Sequence, residues 1–277
     1  MSMEQLRNYL QASKARKEAP ARDAAQISNR LHEVFDRMAK QSALKSRAQL
    51  LHTGFQAMDE IIGGLELGEL IVINGDPGAG QTSMMLSIAI TTAKETQMPI
   101  LLYSQNHSAQ QITRRLLSML TGVHISAIEN ADLTDAEWNL LSTASSWLQE
   151  KDIRVYDLDQ TIPELCVSIN RCDTPALVIV DGLSSDELEP ENFKLLKNFA
   201  QEKNCCVIFN GFYATNRQYI SGNVDKVFHL DNYYENETIF EVNWNRTGQK
   251  GRIDLLWYQP CLQFLPISSE NDENESE

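Results

Sequence analysis

Apolar residues follow two different rhythms along this chain. In residues 1–48 they form a single stripe, Ile27, Leu31, Val34, Phe35 and Met38, spaced as on one side of a helix after a break at Pro20. That stripe predicts an amphipathic helix whose apolar side needs a partner surface, on its own body or on a neighbouring subunit. From Leu70 the rhythm alternates between short apolar runs and longer helical patterns. LIVING, PILLYS (Pro99–Ser104), Ile153–Tyr156, ALVIVD (Ala176–Asp181) and CCVIFN (Cys205–Asn210) read as strands. Between them, Thr82–Lys94, Ser108–Leu120, the segment opened by Thr134 and Glu137, Ile162–Asn170 and Phe193–Gln201 read as helices. Leu116, Leu117 and Leu120 are expected on the buried side of the second helix. ALVIVD is expected to end in its carboxylate. Lys226–Leu230, Thr238–Asn243 and Ile253–Trp257 read as closing antiparallel strands.

Strands alternating with helices predict an α/β fold whose mostly parallel central sheet has helices on both faces. Three segments follow: an N-terminal helical segment over 1–48, an α/β body over 49–267, and an acidic tail over 268–277 expected to be disordered. The 277 residues are 42% hydrophobic, enough for a packed core. No apolar run approaches the roughly 18 residues of a membrane span, so no membrane partner is expected. Five cysteines without a C-x-x-C pair suggest reduced, buried thiols of a cytoplasmic protein, with no structural metal.

Charge changes the picture. Residues 1–50 carry a balance of +5 and residues 51–277 one of −19. An acidic body repels nucleic-acid phosphates unless basic groups gather on one surface, so DNA binding is expected to be weak. The basic head reads most simply as a solvated helix, with a nucleic-acid arm as the alternative.

The chemistry concentrates in GDPGAGQT, residues 75–82, between a strand and a helix. Gly75, Gly78 and Gly80 suit a loop whose backbone N–H groups surround phosphate oxygens. Thr82, followed by Ser83, offers a hydroxyl for Mg²⁺. The position that normally carries lysine holds Gln81. A second strand ends in Asp181, where such sites place a magnesium-holding acid. Together these make Gly75, Gly78, Gly80, Gln81, Thr82, Ser83 and Asp181 candidate nucleotide-binding residues, with Thr82 and Asp181 for Mg²⁺. Gln81 donates a hydrogen bond without bringing charge, so ATP with Mg²⁺ is expected to bind more weakly than in an intact loop.

The segment TGFQAMDEIIGGLELGELIVINGDPGAGQTS resembles the opening of the RecA-like C-terminal domain of DnaB-type replicative DNA helicases. Thr53, Gly54, Phe55, Asp59, Gly63, Gly64, Leu65, Gly68 and Leu70 stand where that pattern has its marker residues. The likeness continues through MPILLYSQNHSAQQITRRLLSMLTGV, ALVIVDGL, SGNVDKVFHL and NRTGQKGRIDLLW, covering about residues 51–265. It implies a RecA-like P-loop fold, an ATP site, self-association or docking on a helicase-like subunit, and a role in DNA replication. The basic helix over 22–42 takes the place of the family's linker helix, and the family's primase-binding domain lies outside the resemblance.

The departures from the family pattern cluster on catalysis. Matching Tyr103–Asn106 to the family's S-L-E-M motif puts Gln105 at the catalytic glutamate. An amide cannot take a proton from attacking water, and a lost general base costs ~10²–10⁴ in rate. The sensor glutamine becomes Gly211, and the paired trans-acting basic residues become Trp244 and Arg246. Two loops that carry DNA contacts in the family are short here, around 184–191 and 214–220, the latter holding Arg217 and Tyr219. Lys250 is a candidate source of replacement charge. The leading expectation is a degenerate ATP site in a non-hydrolysing accessory or regulatory factor of replication. The alternatives are a divergent, active ATP-dependent helicase or translocase and an ATP-binding, non-hydrolysing oligomeric scaffold.

Overall fold

A computed structural model describes residues 50–157, 160–169, 175–183, 189–211, 222–234, 236–246 and 248–267. The predicted N-terminal helix, the tips of the two short loops, including Arg217 and Tyr219, and the acidic tail lie outside these residues. The described chain opens with β1 (Leu50–Leu51), α1 (Gln56–Ile62) and β2 (Leu65–Glu66), β1 and β2 pairing as a small antiparallel ribbon. Then come β3 (Leu70–Gly75), α2 (Gln81–Glu95), β4 (Ile100–Ser104), α3 (Ala109–Thr121), α4 (Ile125–Asn130), α5 (Asp135–Gln149) and β5 (Ile153–Asp157). They are followed by α6 (Ile162–Ile169), β6 (Leu177–Leu183), α7 (Pro190–Lys203) and β7 (Cys206–Gly211). The chain closes with β8 (Lys226–Tyr234), β9 (Glu237–Asn245), β10 (Arg252–Tyr258), a 3₁₀ turn and β11 (Gln263–Pro266).

The main sheet has nine strands in the order β11-β10-β9-β8-β3-β7-β6-β4-β5. From β8 to β5 neighbouring strands run parallel, and β9, β10 and β11 continue it antiparallel. The near-continuous apolar composition of β3, β4, β6 and β7 follows from burial on both faces. Their side chains alternate between two cores. Ile71, Ile73, Leu102, Ile179 and Ile208 face one, shared with Met84, Ile88 and Leu116 of α2 and α3. Leu70, Val72, Leu101, Val178 and Val207 face the other, closed by Leu165 of α6 and Phe193, Leu196 and Phe199 of α7.

Helix boundaries follow local chemistry. Thr134 and Glu137 form the expected capping box at α5, and Ser108 with Gln111 forms another at α3. Pro190 begins α7 and Asn204 ends it in the left-handed conformation.

Several expectations need correction. Strand β6 runs beyond Asp181 to Leu183, so the acid lies within the strand. Strand β8 is parallel to β3 as well as antiparallel to β9, and β11 adds a closing strand that the pattern did not suggest. On α3, Ile112, Leu116 and Met119 are buried, whereas Leu117 and Leu120 are only half-buried. The leucine count pointed to the wrong edge of the stripe, because isoleucine and methionine fill the same volume.

Lys226, only 1% exposed, pairs with Glu69 inside the sheet. Burial pushes the Glu69 carboxyl upward against the pull of the Lys226 ammonium. Beside them Asp225 accepts from the Leu70 N–H at 2.8 Å and from Lys197 Nζ at 2.6 Å. These pairs fix where β8 and α7 meet β3.

Candidate functional site

Parallel strands present their C-terminal ends on one edge of the sheet, where doubly wound folds place ligands. Gly75 ends β3 and Ser104 ends β4, and Asp181 and Asn210 lie near the ends of β6 and β7. Ser104 and Asp181 are register partners, so adjacent strands bring their side chains together. The pairing of β6 with β7 shifts register between Val180 and Leu183, and Gly182 takes φ +94° there. A Cβ on Gly182 would lie 2.5 Å from the Asn106 side chain. The irregularity thus admits the loop after β4 beside Asp181.

The Asp181 carboxylate is almost wholly buried and surrounded by donors. Oδ1 accepts from the Thr82 hydroxyl and from Asn210 Nδ2, both at 2.9 Å. Oδ2 accepts from the Ser104 hydroxyl at 2.8 Å and lies 3.3 Å from His107 Nδ1. Burial alone would raise its pKa, but the hydrogen bonds from His107, Ser104, Thr82 and Asn210 outweigh it and hold the carboxyl below its ordinary value. Asn210 also accepts the Gly182 N–H at 2.6 Å, tying β7 to the β6 irregularity.

The glycine loop joins β3 to α2. Gly80, the N-cap of α2, has φ +93°, and a Cβ there would lie 2.6 Å from the Phe264 ring. Glycine is required at this position by backbone conformation and by the close approach of β11. Gln81 Nε2 donates to the carbonyls of Gly75 at 2.6 Å and Asp76 at 3.2 Å. The side chain where a cation was expected is folded onto its own loop.

Loop and strand ends border a cavity of about 700 Å³. Such a volume falls within the ~300–1,000 Å³ of small-molecule sites. Gly75, Gly78, Gly80, Gln81, Thr82, Ser83 and Gln105 all line it. Asp181 lies beneath it, reached through Thr82 and Asn210. Asn106, His107, Arg115 and Asn210 join from other elements, with Trp257, Gln259 and Leu262 forming a wall from the β10–β11 corner. Among the described residues the lining contains no carboxylate. Nothing in the sequence marks Arg115 or Trp257 for this place, because only tertiary packing brings α3 and β10 to the loop. Asn106 is next to Gln105, and either amide faces the cavity without offering a base.

The arrangement fits a polyphosphate in shape. Backbone N–H groups at the start of a long helix favour anions, and Thr82 with Asp181 supplies oxygen chemistry suited to Mg²⁺. Among the described residues no cluster of three or more His, Cys, Asp or Glu forms a separate metal site. Arg246 does not line the cavity. Its guanidinium donates to the carbonyls of Gly222 and Val224 and approaches Asp225 at 3.3 Å. The Lys250 ammonium lies 5.9 Å from the Trp244 ring centre, also away from the cavity lining. No helix among the described residues is long and apolar enough to cross a membrane.

Comparison with known proteins agrees with this geometry. The sequence profile of the DnaB-like helicase C terminal domain matches residues 51–211. A probable replicative DNA helicase of Guillardia theta is 32% identical over 149 residues, covering 48% of this chain and 25% of that protein. The replicative DNA helicase DnaC of Bacillus subtilis (strain 168) is 23% identical over 286 residues, covering 89% of this chain and 63% of its own. The chain therefore spans less than two thirds of the length of these relatives. Among solved structures, a chain described as an ATPase domain superposes with TM-score 0.74 at 16% identity, covering 89% of this chain and 100% of that one. A DnaB-like replicative helicase, solved in a study of its interactions with primase, gives TM-score 0.73 at 14% identity, with coverage of 96% and 72%. These two structures establish the RecA-like fold.

Proposed function

Because the chain belongs to the DnaB-like helicase C-terminal domain family, we propose that it keeps the family's nucleotide cradle and has lost hydrolysis. In this reading it acts as an accessory or regulatory factor in DNA replication, docking on helicase-like subunits or on further copies of itself. The supporting observation is the cavity lining: among the described residues it holds no carboxylate, and Gln81 is hydrogen-bonded to its own loop. A phosphoryl-transfer site works by positioning and by charge stabilisation. Here Thr82 and Asp181 would hold Mg²⁺, and the loop N–H groups would orient the phosphates. When bound, ATP·Mg²⁺ would supply an activated phosphoanhydride. The side chains at 105 and 106 are amides and cannot take a proton from water, and the one imidazole of the described lining, His107, is engaged with Asp181 Oδ2 at 3.3 Å. Bound nucleotide would then serve as a structural ligand at a subunit contact, which Arg246 could reach only by leaving the Gly222 and Val224 carbonyls and Asp225.

Steady-state phosphate release, with and without single-stranded DNA, tests this reading. No release above a protein-free blank is expected. Release that disappears in Asp181→Ala would overturn it. An active, divergent helicase is the second reading, and the intact Thr82–Asp181–Asn210 network favours it. It predicts strand separation and salt-sensitive DNA binding in the same preparations.

A further inference from the structure

We propose that the tip of the β9–β10 hairpin is a docking surface for a short acidic segment, and that its occupant is the chain's own C-terminal tail, residues 268–277. The proposal does not depend on what the cavity binds.

The first observation is a local reversal of charge. Residues 244–252 hold three cations, Arg246, Lys250 and Arg252, and no acid, on a body whose balance over 51–277 is −19. Trp244, Lys250 and Arg252 are exposed, and the Lys250 ammonium lies 5.9 Å from the Trp244 ring centre. Such a contact makes the aromatic face part of a cationic surface. Arg246 is engaged with the Gly222 and Val224 carbonyls. Lys250 and Arg252 have no hydrogen-bond or ion-pair partner among the described residues, although Glu241 stands opposite Arg252 in register.

The second observation is place. Trp244 and Asn245 pair with Val227 and Lys226 at the start of β8, and β8 runs parallel to β3. The tip therefore stands at the edge of the sheet opposite the C-terminal strand ends that border the cavity. Neither Trp244, Lys250 nor Arg252 lines that cavity.

The third observation is the path of the chain. β11 is antiparallel to β10, with Gln263 opposite Tyr258 and Pro266 opposite Leu255. The chain leaving Pro266 and Ile267 is thus directed toward the Arg252 end of β10. At ~3.3 Å per residue, Glu270 is within reach of that end. The tail that follows Ile267 holds five Asp or Glu and no Lys or Arg. Each exposed ion pair is weak by itself, but a tethered segment meets its site at high effective concentration. A long polyanion would feel the whole acidic body, whereas a short tail feels chiefly the charges within a Debye length. The tail would then act as a salt-sensitive cover that keeps other anions from Lys250 and Arg252.

Carbodiimide crosslinking of the full chain, with the new amides mapped by mass spectrometry, tests the contact. At low salt, amides between Lys250 and tail carboxylates are expected within single chains, on the order of 10-fold above those from the exposed Lys94 and Lys194. Raising salt to ~0.5 M should remove most of that excess. Arg252→Gln leaves the Lys250 amine in place and should lower its yield ~2–5-fold. Melting reports whether this variant folds; should it not, the salt series on the unaltered chain carries the test. Tail amides spread evenly over the three lysines, a Lys250 yield indifferent to salt, or an unchanged yield in folded Arg252→Gln would each overturn the proposal. Lys250–tail amides confined to crosslinked dimers would also overturn it, since the occupant would be a second copy. Loss of the amides on adding an equimolar single-stranded oligonucleotide would assign the surface to nucleic acid and remove the tail as its occupant.

Discussion

Single residues set the character of the site. Gln81 keeps the loop closed through the Gly75 and Asp76 carbonyls and brings no charge to a phosphate. Gln81→Lys should therefore tighten ATP·Mg²⁺ binding ~5–10-fold, the difference between a charged and a neutral hydrogen bond. It should not restore phosphate release, because positions 105 and 106 remain amides. Titration calorimetry paired with a phosphate assay checks both halves. Asp181 allows a prediction about pH. Its folded pKa lies below the ordinary 3.8, so the stability it contributes is complete above that value and is lost as pH falls through the lower, folded one. Urea unfolding from about pH 5 to about pH 2 should show wild type losing its advantage over Asp181→Asn as acid is added. An advantage that stays constant across the series would show that the four donors do not depress this carboxyl. The glycine loop and Asp181 were legible in the sequence because strand, loop and helix are consecutive there. Arg115, Asn210 and Trp257 were not, since nothing local distinguishes them from surface or core residues.

At the scale of elements, the C-terminal strand is the part that sequence pattern missed and the site depends on. β11 is only four residues long and has one buried aromatic, too little for a periodic signal. Yet Phe264 meets Gly80 and packs at a tilt against Trp257 with ring centres 4.4 Å apart. Phe264→Ala should cost ~3–5 kcal/mol by leaving a cavity at the base of the loop, measurable by denaturant unfolding. Nucleotide affinity should fall with it, because the loop loses the surface that holds Gly80. The Lys226–Glu69 pair makes a second prediction. Lys226→Met alone leaves a buried carboxylate and should cost ~3–5 kcal/mol, whereas the double change Glu69→Leu with Lys226→Met should lie much closer to wild type. Equal losses in the single and double variants would show that packing, and not uncompensated charge, sets the cost. The capping box at Thr134 was readable from spacing, because a cap is a contact between residues three apart, whereas the one at Ser108 emerged only with the structure.

For the whole molecule, the ordered series of motifs made the fold class and family legible before any contact was known. The strand order was not legible: the pairing of β8 with β3 joins segments far apart in the chain, and the hydrogen bond that anchors the junction links Leu70 to Asp225, 155 positions later. The body over residues 51–277 carries a balance of −19, which opposes DNA at the level of the whole surface. Fluorescence anisotropy with labelled single-stranded DNA at near-physiological salt should show no saturable binding; tight binding that weakens steeply with salt would favour an active helicase. In the proposed function the cradle holds a nucleoside triphosphate without cleaving it. Its most direct test incubates excess protein with limiting labelled ATP and Mg²⁺, then identifies the nucleotide extracted from the protein after many hours. Intact ATP recovered with the protein is the predicted result. Labelled ADP, formed by wild type and absent with Asp181→Ala, would contradict it.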